Sequence, residues 1–456
     1  MTTPRSDQAV GDLEHAIERI WEIARGFGLD PFPVHFELVP ASVMYEFGAY
    51  GLPGRFSHWT HGRAFHQMKT MYDYGLQRIY ELVINANPAY AFLLESNSVL
   101  QNKLVVAHVL GHSDCFKHNA YFGPTSRRML DTVSASAGRF AGYEFEHGAH
   151  ALELLLDAVL SVEEYVETHP FVRRQEPKRE KHPSPEHVSA YDDLFRFVRQ
   201  PEPEAEEGAA DEEDEDLLRF IAEHAPDLTD WERDVITSVR TEALYFQPQG
   251  LTKILNEGWA SFWHSRIIRE LDLSDGEYHD FAEMNAGVLA RAPMQLNPYF
   301  LGLKLLEDIE RRWDKGGGEG RAKLFEVREM ESDVSLIRNY LTQDLVEELD
   351  LYTYALRGRQ WVIVEKDWEK VRDQLVEEVA GRGRPAIVAV SADYVGRREL
   401  HLRHLFRGVE LDAGRAEKTL RQLYHLWRRP VHLETSQGGR RVFLTYDGHQ
   451  HSARSD

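Results

Sequence analysis

The chain has 456 residues, 75 acidic against 53 basic side chains and a net charge of −22. That length permits one large domain or two to three ordinary ones, and the acidic balance argues against a general nucleic-acid binder, which needs a basic face to release counterions. The single cysteine, Cys115, excludes an internal disulfide or a cysteine-rich zinc module, while the lack of a secretory signal or a membrane-length apolar run predicts a cytoplasmic protein with no membrane span.

A helix is predicted over 13–27, where Leu13, Ile17, Ile20, Trp21 and Ala24 form one stripe closed by Gly26 and Gly28. Residues 32–39 alternate as a strand ending at Pro40, and 48–62, carrying Gly48, Gly51, Pro53, Gly54 and Gly62, reads as a loop. Two β-compatible runs, 79–84 and 89–94, flank a turn signal at 85–88. The pattern is then helical from 99 to 119 and mostly helical from 140 to 166. Residues 173–216 are rich in Pro, Glu and Asp, with an acidic low-complexity run at 202–216, and read as a solvated linker or surface excursion.

Helical patterns resume at 217 and continue, with breaks, to 379. The glycine cluster at 316–320 lacks the lysine and strand of a phosphate loop, so it reads as a plain break. The last stretch changes character, with strands at 386–390, 399–404, 431–434 and 441–445 around a helix at 413–427. The expected fold is α+β and mainly helical, in four parts. Residues 1–172 form an N-terminal region with a small sheet, 173–216 the linker, 217–380 a helical region sharing one core with the first, and 381–456 a small α+β module.

Chemistry concentrates in the string Val105-Val-Ala-His-Val-Leu-Gly-His-Ser-Asp-Cys-Phe-Lys-His-Asn119. His108 and His112 are four apart, hence one helical turn apart on one face, where they can share a metal ion. Cys115 and Asn119 fall on that face and Asp114 does not. The setting is apolar, where unpaired polar groups are costly, so the alternative is a histidine pair hydrogen-bonded in the core. Cys115 reads as a small buried hydrophobe.

A second string, Leu255-Asn-Glu-Gly-Trp-Ala-Ser-Phe-Trp-His264, places Glu257, Ser261 and His264 on one helical face. It is similar to the Asn-Glu-Gly-aromatic-Ala segment that supplies the carboxylate ligand in gluzincin metallopeptidases. That resemblance implies a zincin-like core in which His108, His112 and Glu257 hold a divalent metal, with zinc first and iron or manganese as alternatives, and in which 89–94 is the edge strand before the histidine helix. Two histidines and one carboxylate leave a coordination position open for water. The general-base position after the first histidine holds Val109, so either Glu95, Asp114 or His264 serves as the proton-transfer group, or the metal serves another purpose. A competing carboxylate set, Glu146, His150, Glu153 and Asp157, recurs along one helical face and, together with His108, His112 and Glu257, would build a two-metal carboxylate site; a solvated acidic face is the simpler alternative. The loop 51–59 with His61 and His66 offers Arg55 as an anion clamp and His58 as a further contact, and Asn119 is a third candidate for substrate contact; a loop packed by its aromatics is the alternative.

The strings GLPGRFSHWTHG, YELVINANPAYAFLLESNS, HVLGHSDCFKHNAYF, NEGWASFWHS, NPYFLGLKLLEDIERRWD, FEVREMESDVSLIRNYL and RAEKTLRQLYHLWRRPVHLET together resemble the SpoVR (stage V sporulation protein R) family along 13–448. The resemblance implies a role in spore cortex formation or in stress and starvation, alongside a PrkA-type serine protein kinase and a von Willebrand-like partner. It implies no particular chemistry. Three readings therefore stand: a metal-dependent hydrolase or amide-bond enzyme, a non-catalytic regulatory scaffold whose metal is structural, and a di-iron carboxylate protein.

Overall fold

The computed structural model describes residues 5–73, 81–167, 213–290, 296–315, 317–358 and 360–455. In chain order, the first part carries α1 (Arg5–Gly26), β1 (Val34–Val39), α2 (Ala41–Tyr50), α3 (Trp59–Asp73), β2 (Glu81–Ile84), β3 (Ala89–Leu94), α4 (Val99–His118), α5 (Met129–His147) and α6 (Ala149–Leu160). Then follow α7 (Leu217–His224), α8 (Asp230–Leu251), α9 (Lys253–Arg269), α10 (Asp275–Val288), α11 (Pro298–Lys315), α12 (Gly320–Met330), α13 (Asp333–Tyr340) and α14 (Gln343–Glu348). A hairpin of β4 (Thr353–Arg357) and β5 (Gln360–Glu365) leads into α15 (Trp368–Gly381). The C-terminal elements are β6 (Ile387–Tyr394), β7 (Glu399–His404), α16 (Ala413–Trp427), β8 (Val431–Gln437), β9 (Arg440–Tyr446) and β10 (His451–Ser455). The chain is thus a mainly helical α+β protein with a small three-stranded sheet near its N-terminus and a five-stranded sheet near its C-terminus.

Contacts divide it into two units, one of Met1–Glu164 with Leu228–Ala386, the other of Tyr165–Asp227 with Ile387–Asp456. In the first unit, α4 and α9 are buried along most of their length, on successive residues rather than on one stripe. Helices covered on all sides in this way lie at the centre of a layered core. α9 lies between α4 and α11, and its Trp259, Phe262 and Trp263 are fully buried. Side-chain caps fix the ends of these helices. Ser98 and Gln101 form a reciprocal capping box on α4, and the buried Asp333 carboxylate accepts from the Ile254 and Leu255 amides at the start of α9.

The three helices meet backbone to backbone. A methyl group at Gly111 would lie 2.7 Å from the Ala260 Cα, and one at Gly258 would lie 2.5 Å from the Gly302 Cα. Neither crossing has space for a side chain. Gly258→Ala is expected to force α9 and α11 apart, at a cost of about 3 kcal/mol or more from overpacking. A melting temperature within a degree of the parent protein would show that the crossing yields.

The small sheet runs β1-β3-β2, with β1 parallel and β2 antiparallel to β3. β3 is therefore the central strand rather than the expected edge. Its uninterrupted apolar run, Ala89-Tyr-Ala-Phe-Leu-Leu94, is what a strand covered on both faces requires. The edge strand beside it is β2.

Three other expectations change. The stretch 48–62 is helical up to Tyr50 and again from Trp59, because buried Met44 and Tyr45 and the Phe47–Phe92 ring contact hold α2 despite Gly48. The region 353–365, read as helical, is a hairpin. Trp361, Val362, Ile363 and Val364 favour a strand, and Gly358 takes the positive φ of the turn. β10 was also not expected.

In the second unit the sheet order is β10-β9-β8-β7-β6. Only β7 and β8 pair in parallel, with α16 as their crossover; the other neighbours are antiparallel. Of the expected linker, 173–212 lies outside the described residues. Glu213–Asp216 join this unit: Asp214 bridges Ala389, and Asp216 caps α7. Among the described residues, no helix is long and apolar enough to cross a membrane.

Candidate metal centre

The α4 histidines sit on either side of the Gly111 crossing, and Glu257 sits beside the Gly258 crossing on α9. Backbone contact therefore brings the two helices' polar groups to one point. His108 Nε2 and His112 Nε2 each lie 3.5 Å from Glu257 Oε2. A fourth group arrives from β2: Glu81 Oε1 lies 3.3 Å from His108 Nε2 and 3.5 Å from His112 Nε2. One ligand atom from each of the four residues lies within 4.8 Å of the others, and the cluster could hold a metal ion. Nitrogen and oxygen ligands bound at about 2.0–2.1 Å in a tetrahedron are separated by about 3.3–3.4 Å. The four histidine–carboxylate separations match that spacing.

The hydrogen bonding has a gap at the same point. His108 Nε2 and Glu257 Oε2 are buried and have no hydrogen-bond partner among the described residues. Unpaired buried polar atoms aimed at a common centre are what a missing ion or water leaves behind. The opposite edge of His108 is held: its Nδ1 is 2.8 Å from His264 Nδ1, and His264 Nε2 is 3.0 Å from Asn285 Oδ1. An amide oxygen only accepts, so His264 donates from Nε2 and, when neutral, accepts at Nδ1. His108 must then donate from Nδ1, so that once its second proton is displaced the lone pair faces the cluster at Nε2, the tautomer a metal ligand needs.

The electrostatics agree. Burial would lower His108, but the Glu81 and Glu257 carboxylates outweigh it and push its pKa up to about 10. Burial likewise opposes ionisation of both carboxylates, yet the histidines hold each below the usual range. His264 goes the other way, to about 3, through burial and then the neighbouring His108 charge. The two carboxylates thus favour a cation between them, and His264 remains neutral. Tyr299 stacks on the His108 ring at 6.0 Å, its pKa raised by burial and then by Glu257 and Glu81. The cluster opens into a cavity of about 790 Å³ whose lining includes all four residues, His264 and Tyr299.

Residues 7–384 match the family model described as SpoVR like protein, and 385–438 match that of the SpoVR-like C-terminal domain. The chain belongs to the SpoVR-like family. It is similar to the uncharacterized protein YcgB of Escherichia coli (strain K12), at 28% identity over 469 residues covering 92% of this chain and 91% of that protein. No solved structure matches it.

The remaining candidate residues of this SpoVR-like chain lie elsewhere. Asp114 is fully buried and accepts from the Asp30 amide, Trp259 Nε1 and Arg328 Nη1, so its carboxylate locks α4 to α9 and α12 and does not line the cavity. Glu95 is exposed beyond the end of β3. Asn119 donates to the carbonyls of Arg328 and Glu331 and accepts from the Tyr121 amide, a structural role after α4. Arg55 pairs with Glu242 at 2.5 Å, and His58 lies 3.2 Å from Asp157. Neither residue lines the cavity, and nor does His66. Cys115 is buried, with its thiol pushed up by burial and then by Asp114. Glu146, His150 and Glu153 are exposed, and Asp157 is taken by His58 and Trp59, so this face of α5 and α6 does not join the histidines.

Sequence reasoning missed Glu81. The signal was present: Glu81 is the only charged residue between Ile79 and Leu94, in a run otherwise suited to a buried strand. A lone carboxylate in such a run calls for a partner.

Proposed function

We propose that this SpoVR-like protein is a metal-dependent hydrolase of amide bonds, with a zincin-like arrangement of ligands. His108, His112 and Glu257 would hold the ion, and a divalent ion there supplies a Lewis acid. The observation that carries the reading is the cavity: the four-residue cluster lies in the wall of an open space of about 790 Å³ rather than sealed in the core. A purely structural site needs no such access.

Glu81 supports the missing proton-transfer role. Val109, at the position after the first histidine, is fully buried and carries no ionisable group. Glu81 is the more exposed of the two clustered carboxylates, 22% against 12% for Glu257, and it comes from a four-residue edge strand. Its carboxylate takes a proton from the attacking water as the carbon–oxygen bond forms. The proton passes to the leaving nitrogen as the carbon–nitrogen bond breaks, so water adds across the amide with no other co-reactant. His264 keeps His108 in the required tautomer, and Tyr299 is placed to donate a hydrogen bond beside Glu257.

A second reading has one specific observation behind it: four protein groups can fill a tetrahedral site and close it, as in structural metal centres. Metal removal separates the two. Protein purified without a histidine tag should carry close to one equivalent of metal by elemental analysis. Chelation should abolish hydrolysis of an acylated amide reporter while shifting the melting temperature by only a few degrees, and added metal should restore turnover. Chelation that unfolds the protein outright would favour the structural reading. Hydrolysis that persists in metal-free protein would overturn the proposal.

A further inference from the structure

Asn256 immediately precedes Glu257, and both side chains line the cavity together with Lys253, one turn earlier on α9. Asn256 is only 7% exposed, yet its Oδ1 has no hydrogen-bond partner among the described residues. A buried amide oxygen left without a donor costs about 1–3 kcal/mol. At a cavity wall beside a candidate reaction centre, such an atom marks the place where a ligand N–H arrives. Two more carboxamides, Gln101 and Gln249, line the same space.

The charge of the lining narrows the ligand class. Three carboxylates, Glu81, Glu257 and Glu283, face one ammonium group, Lys253, which is itself 60% exposed and 3.5 Å from Glu257. The excess of two negative charges equals the charge of one divalent cation, so the loaded cavity would be neutral. Beyond the ion itself, a phosphate or a polycarboxylate would meet only Lys253, which is already beside Glu257, as a cationic partner. The rest of the lining includes Val83, Leu104, Phe116 and Val288, an apolar wall suited to a hydrocarbon side chain.

We infer that the cavity binds an uncharged, amide-bearing chain with an apolar side chain, and that the Asn256 carboxamide accepts the N–H of an amide next to the reacting carbonyl. The inference rests on the metal-hydrolase reading above and adds the ligand class and the residue that recognises it. Asn256 acts here as a binding residue, with no part in proton transfer.

Two hydroxamates that differ only in the amide provide the test: N-acetyl-leucine hydroxamate and 4-methylpentanohydroxamate, titrated calorimetrically into zinc-loaded full-length protein. The acetylated probe should bind about tenfold more tightly, a difference of about 1.4 kcal/mol. Asn256→Leu should erase the preference. Asn256→Asp, which retains an acceptor oxygen, should keep it. Equal binding of the two probes to the parent protein would overturn the inference and leave the metal reading intact, as would a preference undiminished in Asn256→Leu. Failure of the protein to take up zinc, or of both probes to bind, would overturn the metal reading and this inference with it.

Discussion

Changing His108 and His112 together to alanine is expected to lower bound metal from about one equivalent to below about a tenth, since each imidazole supplies one of only a few ligand atoms. Elemental analysis of untagged protein would measure it. The fold should persist, because the core around α4 and α9 is built from Trp259, Phe262, Trp263, Val106 and Leu110, none of which changes. Some stability should be lost even without metal. In the metal-free parent, a protonated His108 stands between Glu81 and Glu257. Alanine there leaves two partly buried carboxylates facing each other, and one must take up a proton or repel the other. If the double variant kept a full equivalent of metal, the cluster would not be the binding site.

Glu81→Gln and Glu257→Gln are expected to fail in different ways. Both changes preserve volume and remove a charge. At Glu257 a neutral amide oxygen replaces a carboxylate ligand, so metal affinity should fall and turnover with it. In the Glu81 variant the three ligands His108, His112 and Glu257 are untouched and retain the ion, while the proton acceptor is gone. Turnover should fall by about 10²- to 10⁴-fold, with the metal content unchanged. The comparison requires metal content, melting temperature and rate on the same preparations. Equal metal loss in both variants, with a matching loss of melting temperature, would make Glu81 an ordinary ligand of a closed site.

The parts of the fold that were legible are those where local pattern and burial agree. α1, α4 and α16 each carry an apolar pattern, and α4 also has its capping box in sequence order at Ser98 and Gln101. The hairpin β4–β5 was not legible because it lies within a long helical run, and its turn rests on a single Gly358. β3 was misplaced at the edge because a short apolar run does not say how many neighbours it has. That depends on β1 pairing in parallel from 55 positions earlier along the register, Val34 against Ala89. In the site, His108 and His112 were legible because helical spacing alone puts them on one face. Glu257 was reached through the Asn-Glu-Gly-Trp-Ala string. Glu81 needed the tertiary fold, since nothing local ties β2 to α4. Asp114 shows the reverse case, a carboxylate near the histidines in sequence that turns away to meet Arg328.

The glycine crossings have a consequence for how this protein can diverge. Where helices touch through backbone alone, at Gly111 with Ala260 and at Gly258 with Gly302, drift in side-chain size is closed off, since even one methyl has no space. The ligands on α4 and α9 inherit that fixity. Another part of the cavity wall is drawn from ordinary side chains such as Met284 and Val288 on α10, a helix with Phe281 as its one buried residue. Wall residues on α10 are therefore free to be exchanged one at a time without disturbing the separation of His108, His112 and Glu257, which the backbone crossings hold.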